Sequence, residues 1–210
     1  MDAQESRKTS TFQNQNLLRE APRDFLQSLL QLLTLKDKGT FQHSDRVYQI
    51  TQEWATYMRA KWQWTELHVE TLATSALLHD IGKIGILDEI LLKEGQLTAI
   101  ERDQMEQHAE IGYQLIRDYP GIGEIASGIR HHHERWDGKG YPLGLKGERI
   151  PVFAQLIAIV DTYDAMTSFR SYQNTKSSTE ALEEIKKEAG RQFNPDFVDS
   201  FLQFMHARNT

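Results

Sequence analysis

Three observations predict an all-α protein. Apolar residues recur three and four positions apart in stretch after stretch, the period of a half-buried helix. Two capping boxes, Thr98-Ala99-Ile100-Glu101 and Ser177-Ser178-Thr179-Glu180, stand ahead of such stretches. No pair of alternating runs reads as a β-hairpin, and there is no repeat or low-complexity tract.

In chain order, residues 1 to about 16 are polar and read as a flexible leader. Leu26, Leu29, Leu30 and Leu33 mark a helix within residues 17–35, with Pro22 suited to its first turn. That helix is either part of the core or a linker or dimerising helix joined to another module. Lys36-Asp37-Lys38-Gly39 breaks the pattern, and a second helix begins near Thr40. Val47, Ile50, Trp54, Tyr57 and Met58 form its buried stripe, with His43 and Arg46 on or beside it. Trp62, Trp64 and Leu67 lead into a third helix that runs from about Glu66 into His79. The loop His79-Asp80-Ile81-Gly82-Lys83-Ile84-Gly85-Ile86 follows, where the glycines let the backbone turn tightly. From Thr98 one helical stripe runs through Met105, His108, Ile111, Gly112, Leu115 and Ile116. Gly121 to Arg130 reads as a helix ending in His131-His132-His133-Glu134. Gly138, Gly140, Pro142, Gly144 and Gly147 make the stretch up to Pro151 a structured loop. Pro151 opens a strongly apolar helix through Asp161 to Met166. A polar loop separates it from a helix ending at Ala189, and Asn194-Pro195-Asp196 starts a terminal helix with Phe197, Val198, Phe201 and Phe204 facing inward.

The 210 residues are enough for one or two domains, and 39% hydrophobic with 26% charged residues is ordinary for a globular chain. A net charge of −6 argues against a grip on nucleic acid polymers. With no cysteine there are no disulfides, thiolate metal sites or cysteine nucleophiles, which is compatible with a reducing cytoplasm. The polar start lacks a signal-peptide core, and the longest apolar run is far below the roughly 20 residues of a membrane span. A soluble, cytoplasmic protein is expected.

Seven candidate metal ligands lie on five segments: His43, the pair His79 and Asp80, His108, the pair His132 and His133, and Asp161. Each stands at an apolar helix face or a helix end. The His-Asp pair alone would also fit a helix C-terminus with a glycine cap. Taken together, five imidazoles and two carboxylates suit a binuclear transition-metal site better than calcium or magnesium, which prefer oxygen ligands. Asp80 has two oxygens and can bridge two cations, and Lys83 lies close enough to place a positive charge beside a bound anion. Glu134 and Asp137 either orient imidazoles or serve the loop, and His131 supports the helix end or faces solvent.

The motifs HDIGKIGI, HHHERWDGKGYP and DTYDAMTS resemble the HD-GYP branch of the HD superfamily of metal-dependent phosphohydrolases. The resemblance covers about residues 36–208, after a leader and N-terminal helix at 1–35. It implies a compact all-α bundle of the HD-domain type with an extra C-terminal helical portion and a Gly-Tyr-Pro loop. The implied activity is hydrolysis of cyclic di-GMP to pGpG, and onward to GMP, by a hydroxide shared between two cations. Carried over, His43, His79, Asp80 and Asp161 hold one metal, and Asp80 bridges to a second held by His108, His132 and His133. Gly39 stands where trinuclear relatives have a glutamate, so two metals are expected: iron or manganese, with zinc, nickel or cobalt as alternatives. Asp80 and Lys83 serve catalysis, while Arg46, Lys83, Tyr141 and Arg170 contact substrate. Phe169, Ser171 and Gln173 depart from the family pattern, which leaves the choice of cyclic dinucleotide open. Other readings are a catalytically weak nucleotide-binding signalling module and an HD phosphohydrolase for another nucleotide. Expected partners are a cyclic dinucleotide, an upstream sensor or partner protein and a second copy of the chain, with no nucleic acid polymer and no membrane.

Overall fold

The computed structural model describes residues 25–26, 28–168 and 175–208, which form helices joined by turns and loops with no strand. Helix α1 covers residues 28–36, followed by α2 (Lys38–Met58), α3 (Glu66–Leu78), a 3-10 turn at Ile81–Gly85, α4 (Asp88–Leu91), α5 (Ala99–Glu106) and α6 (His108–Ile116). Then come α7 (Gly123–His131), a 3-10 turn at Gly147–Arg149, α8 (Val152–Thr167), α9 (Ser178–Lys187) and α10 (Pro195–Arg208). None of these helices is long and apolar enough to cross a membrane.

Side-chain caps set the starts. The Asp37 carboxylate accepts from Gly39 N at 2.8 Å, so the apparent break at 36–39 is the cap of α2. Both expected capping boxes are present, Thr98 with Glu101 and Ser177 with Glu180. A third, Thr65 with His68, is not legible by the usual rule because its reciprocal partner is a histidine.

Helix α8 is apolar on nearly all sides and packs against α2, α7 and α9. Its Leu156, Ile157, Ile159 and Val160 are fully covered, in one core cluster with Trp54, Leu72, Ile185 and Phe201. Trp54 donates from Nε1 to buried Ser200 Oγ at 3.0 Å, so the indole loses no hydrogen bond on burial. A second cluster joins Leu26, Leu29 and Leu33 of the first helical segment to Leu78, Ile81, Ile116 and Ile129. Each such buried side chain contributes about 1.5–3 kcal/mol relative to exposure, which ties α1 to the body.

Four expectations are corrected. Tyr57 is 49% exposed rather than part of the buried stripe, its ring resting on Phe204 with centroids 5.8 Å apart. Leu115 is 41% exposed, on the outer side of α6. The stripe from Thr98 to Ile116 is two helices, because Gln107 N bonds back to Gln104 O, three residues away, and tightens the backbone there. Helix α9 stops at Lys187, where Ala189 pairs with Phe193 and Gly190 takes a positive φ of 77°.

The tight turn at Ile81–Gly85 does not itself require glycine at 82, which is not among the positive-φ glycines. It is needed for close approach. A Cβ there would lie 1.9 Å from His108 O and 2.5 Å from Gly112 N. The turn after Asp80 therefore lies backbone to backbone on α6 and sets His108 beside Asp80.

Candidate metal centre

All seven candidate ligands converge. His43 lies on α2, His79 caps α3, Asp80 precedes the 3-10 turn, His108 opens α6, His132 and His133 follow α7, and Asp161 lies on α8. They form three overlapping groups whose ligand atoms lie within 4.8 Å of one another: His43, His79 and Asp161; His108, His132 and His133; and His79, Asp80 and His132. Asp80 stands between the first two. Its Oδ2 is 3.4 Å from His79 Nε2 and its Oδ1 is 3.4 Å from His108 Nε2.

Whether these residues suit cations is decided by their ring nitrogens. Three imidazoles donate through Nδ1 to the carbonyl three residues earlier: His79 to Ala76 at 2.7 Å, His108 to Met105 at 2.7 Å, and His132 to Ile129 at 2.6 Å. Those bonds fix the tautomer and leave an Nε2 lone pair aimed into the centre. His79 Nε2 is buried with no hydrogen-bond partner. His108 Nε2 and His132 Nε2 face each other at 3.3 Å, two lone pairs that repel unless a cation lies between them. Burial pushes His132 well below its ordinary value and His133 down to about 3, so both rings are in the neutral, ligating form. The donor set fits transition metals.

The acids complete the charge balance. Burial alone would raise Asp80, but Lys83 and the surrounding imidazoles hold it well below the usual carboxylate range. Lys83 Nζ donates to Asp80 Oδ2 at 2.6 Å. His43 donates through Nε2 to Asp161 Oδ1 at 2.9 Å and through Nδ1 to Asp164 Oδ2 at 2.6 Å. Burial opposes the charged ring, yet these two carboxylates raise His43 to about 9. A cation ligated by His43 displaces the Nε2 proton that now points at Asp161.

Asp164 was not among the sequence candidates. Besides His43 it holds Arg46, accepting from Nε at 2.7 Å and from Nη2 at 2.9 Å, and it accepts from Ser168 Oγ at 2.9 Å. Its spacing of three from Asp161 on a helix puts both on one face, a signal the sequence did contain. Glu134 makes no hydrogen bond or ion pair with a candidate ligand ring. It accepts from Leu143 N and Leu145 N, both at 2.8 Å, and so anchors the Gly-Tyr-Pro loop. Asp137 likewise serves the loop, pairing with Arg135 and accepting from Lys139 N. His131 is buried rather than solvent-facing, belongs to none of the metal groups, and its Nδ1 lies 3.6 Å from Glu134 Oε1.

The loop brings Tyr141 over the centre, its ring 4.7 Å from that of His133. A Cβ on Gly140 would lie 2.4 Å from both Arg135 N and His133 O, so only glycine lets the loop fold back this closely. Burial and the nearby acids raise the Tyr141 phenol, which stays protonated. A cavity of about 610 Å³ opens on the centre, lined among others by His43, Arg46, Lys83, His108, His133 and Tyr141. Arg170, with Phe169, Ser171 and Gln173, lies outside the described residues.

Fold and site define a helical protein with a centre of histidines and carboxylates able to hold metal. The chain belongs to the HD domain family, whose pattern matches residues 27–197. It is 40% identical over 186 residues to a cyclic di-GMP phosphodiesterase of Thermotoga maritima, covering 86% of this chain and 50% of that protein. It is 33% identical over 198 residues to the 3'3'-cGAMP-specific phosphodiesterase 2 of Vibrio cholerae, covering 92% of this chain and 37% of that one. An HD-GYP-type protein of Bdellovibrio bacteriovorus shares the fold, with TM-score 0.64 and 18% identity over 81% of this chain and 53% of its own. The chain thus spans half or less of the length of these curated relatives.

Proposed function

We propose that the chain is a metal-dependent phosphodiesterase that cleaves cyclic di-GMP to pGpG, with further cleavage to GMP open to the same centre. The observation that carries this reading is the pair of histidine groups joined through the two oxygens of Asp80. His43, His79 and Asp161 would hold one divalent cation, His108, His132 and His133 a second, and Asp80 both. Gly39 offers no side chain for a third. Iron or manganese is proposed, with zinc, nickel or cobalt as alternatives. When bound, two such ions polarise phosphate oxygens and acidify water at neutral pH.

The chain's own residues do the rest. Lys83, beside Asp80, offsets charge on a phosphate oxygen and is the proposed catalytic cation. Arg46, held at Nε and Nη2 by Asp164, keeps Nη1 for substrate on the cavity wall. Tyr141, neutral and packed on His133, offers a hydroxyl donor and an aromatic face. Arg170 is a proposed phosphate contact on sequence grounds alone.

Other cyclic dinucleotides stay within the reading, since one relative is specific for 3'3'-cGAMP. An upstream sensor and self-association are also proposed; Leu32 and Leu35 of α1, 52% and 84% exposed, favour the latter. The test is the double replacement His79→Ala with Asp80→Ala in purified, metal-quantified protein. Turnover of cyclic di-GMP should disappear together with bound metal. Retained turnover overturns the assignment.

A further inference from the structure

A phosphodiester has two ester arms, so seating its phosphorus over the ligand groups requires room on two sides. The 610 Å³ cavity touches His43 and His108. A second cavity of about 280 Å³ touches His132 and Asp161, and the two share His133 and Tyr141 as a common wall. Its volume equals that of about nine liquid waters at ~30 Å³ each, room for one base with part of its sugar. Around it stand Glu106, Lys139, Thr162 and Gln192.

Glu106, the last residue of α5, is the odd member of that rim. It belongs to none of the three metal groups, and its carboxylate takes no hydrogen bond or ion pair from any described residue. This half-buried carboxylate, whose charge the Tyr141 phenol feels, receives no N–H from a described residue, so its oxygens are open to N–H donors that a ligand brings. An ionised carboxylate only accepts, through two oxygens. Guanine presents N1–H and the N2 amino group side by side, one donor for each oxygen. Adenine presents an N1 lone pair beside its N6 amino group, so one oxygen would face another acceptor.

We propose that the second cavity takes one nucleoside arm of the diester and that Glu106 reads its base as guanine. This rests on the phosphodiesterase reading above and adds what that reading leaves open, the choice of base. Tyr141 supplies the face on which the arm lies, and Glu106 supplies the edge.

The experiment compares wild type with Glu106→Gln and Glu106→Ala, each with measured metal content. The assays are kcat and KM for cyclic di-GMP and cyclic di-AMP, and equilibrium binding of both nucleotides. Glutamine replaces one acceptor oxygen with an N–H donor. The cyclic di-GMP to cyclic di-AMP preference should therefore fall by about fivefold to a hundredfold, through KM and binding, with metal content unchanged. A preference that falls less than fivefold, or one that falls only because metal is lost, overturns the assignment of Glu106. If wild type turns over neither nucleotide, the phosphodiesterase reading fails, while the binding ratio still decides the role of Glu106.

Discussion

The Asp164 carboxylate meets His43 and Arg46 at once, so a single oxygen-to-nitrogen exchange there tests how far the metal centre depends on what lies behind it. In Asp164→Asn, an amide oxygen that stays on Arg46 turns an N–H toward His43 Nδ1. That favours the ring tautomer with its proton on Nε2 and removes a ligand lone pair. Metal affinity should fall by about 10- to 100-fold, and KM for cyclic di-GMP should rise as Arg46 loses one of its two bonds to residue 164. Metal titration and steady-state kinetics on the same preparation check both effects. The candidate ligands themselves were legible because histidine and aspartate at apolar helix faces need a reason to be there. Asp164 carried a signal too, its helix face shared with Asp161, but a carboxylate that orients a ring is chemically indistinguishable in sequence from one that binds a cation. The carbonyl partners of His79, His108 and His132 were equally hidden, since every residue has a carbonyl.

At the scale of elements, caps and apolar periods located the helices, and the misplaced boundaries share one cause. Gln107 and Ala189 end helices through backbone bonds made only in the folded chain, which side-chain patterns do not encode. Gly82 was noticed for the wrong reason. Its use is contact between the turn and α6, and Gly82→Ala should force the two apart. The expected cost is about 1–3 kcal/mol in denaturant unfolding, the range for overfilled cores. Because His108 rides on the displaced segment, metal retention should fall in the same variant. An unchanged unfolding midpoint with full metal content would show that the contact relaxes freely.

Across the whole molecule, the ligands come from α2, the end of α3, α6, the end of α7 and α8, so bound cations cross-link elements that otherwise meet through two separate core clusters. Each ion held only by the folded chain stabilises it by about 2.7 kcal/mol at a hundredfold excess over Kd, so two contribute about 5.4 kcal/mol. For a chain of this size, chelation of both should lower Tm by about 11–22 °C in calorimetry. No shift would mean that the ions contribute nothing to the fold. The all-helical architecture was readable from periodicity alone, whereas the meeting of distant histidines came from motif resemblance, because helix order in sequence does not specify which ends face a common space. Glu134 has a consequence of another kind. It grips the Gly-Tyr-Pro loop by the main-chain N–H groups of residues 143 and 145 and asks nothing of the side chains there. Substitutions at those two positions that keep the main-chain N–H therefore leave the grip on the loop intact, and Tyr141 keeps its post.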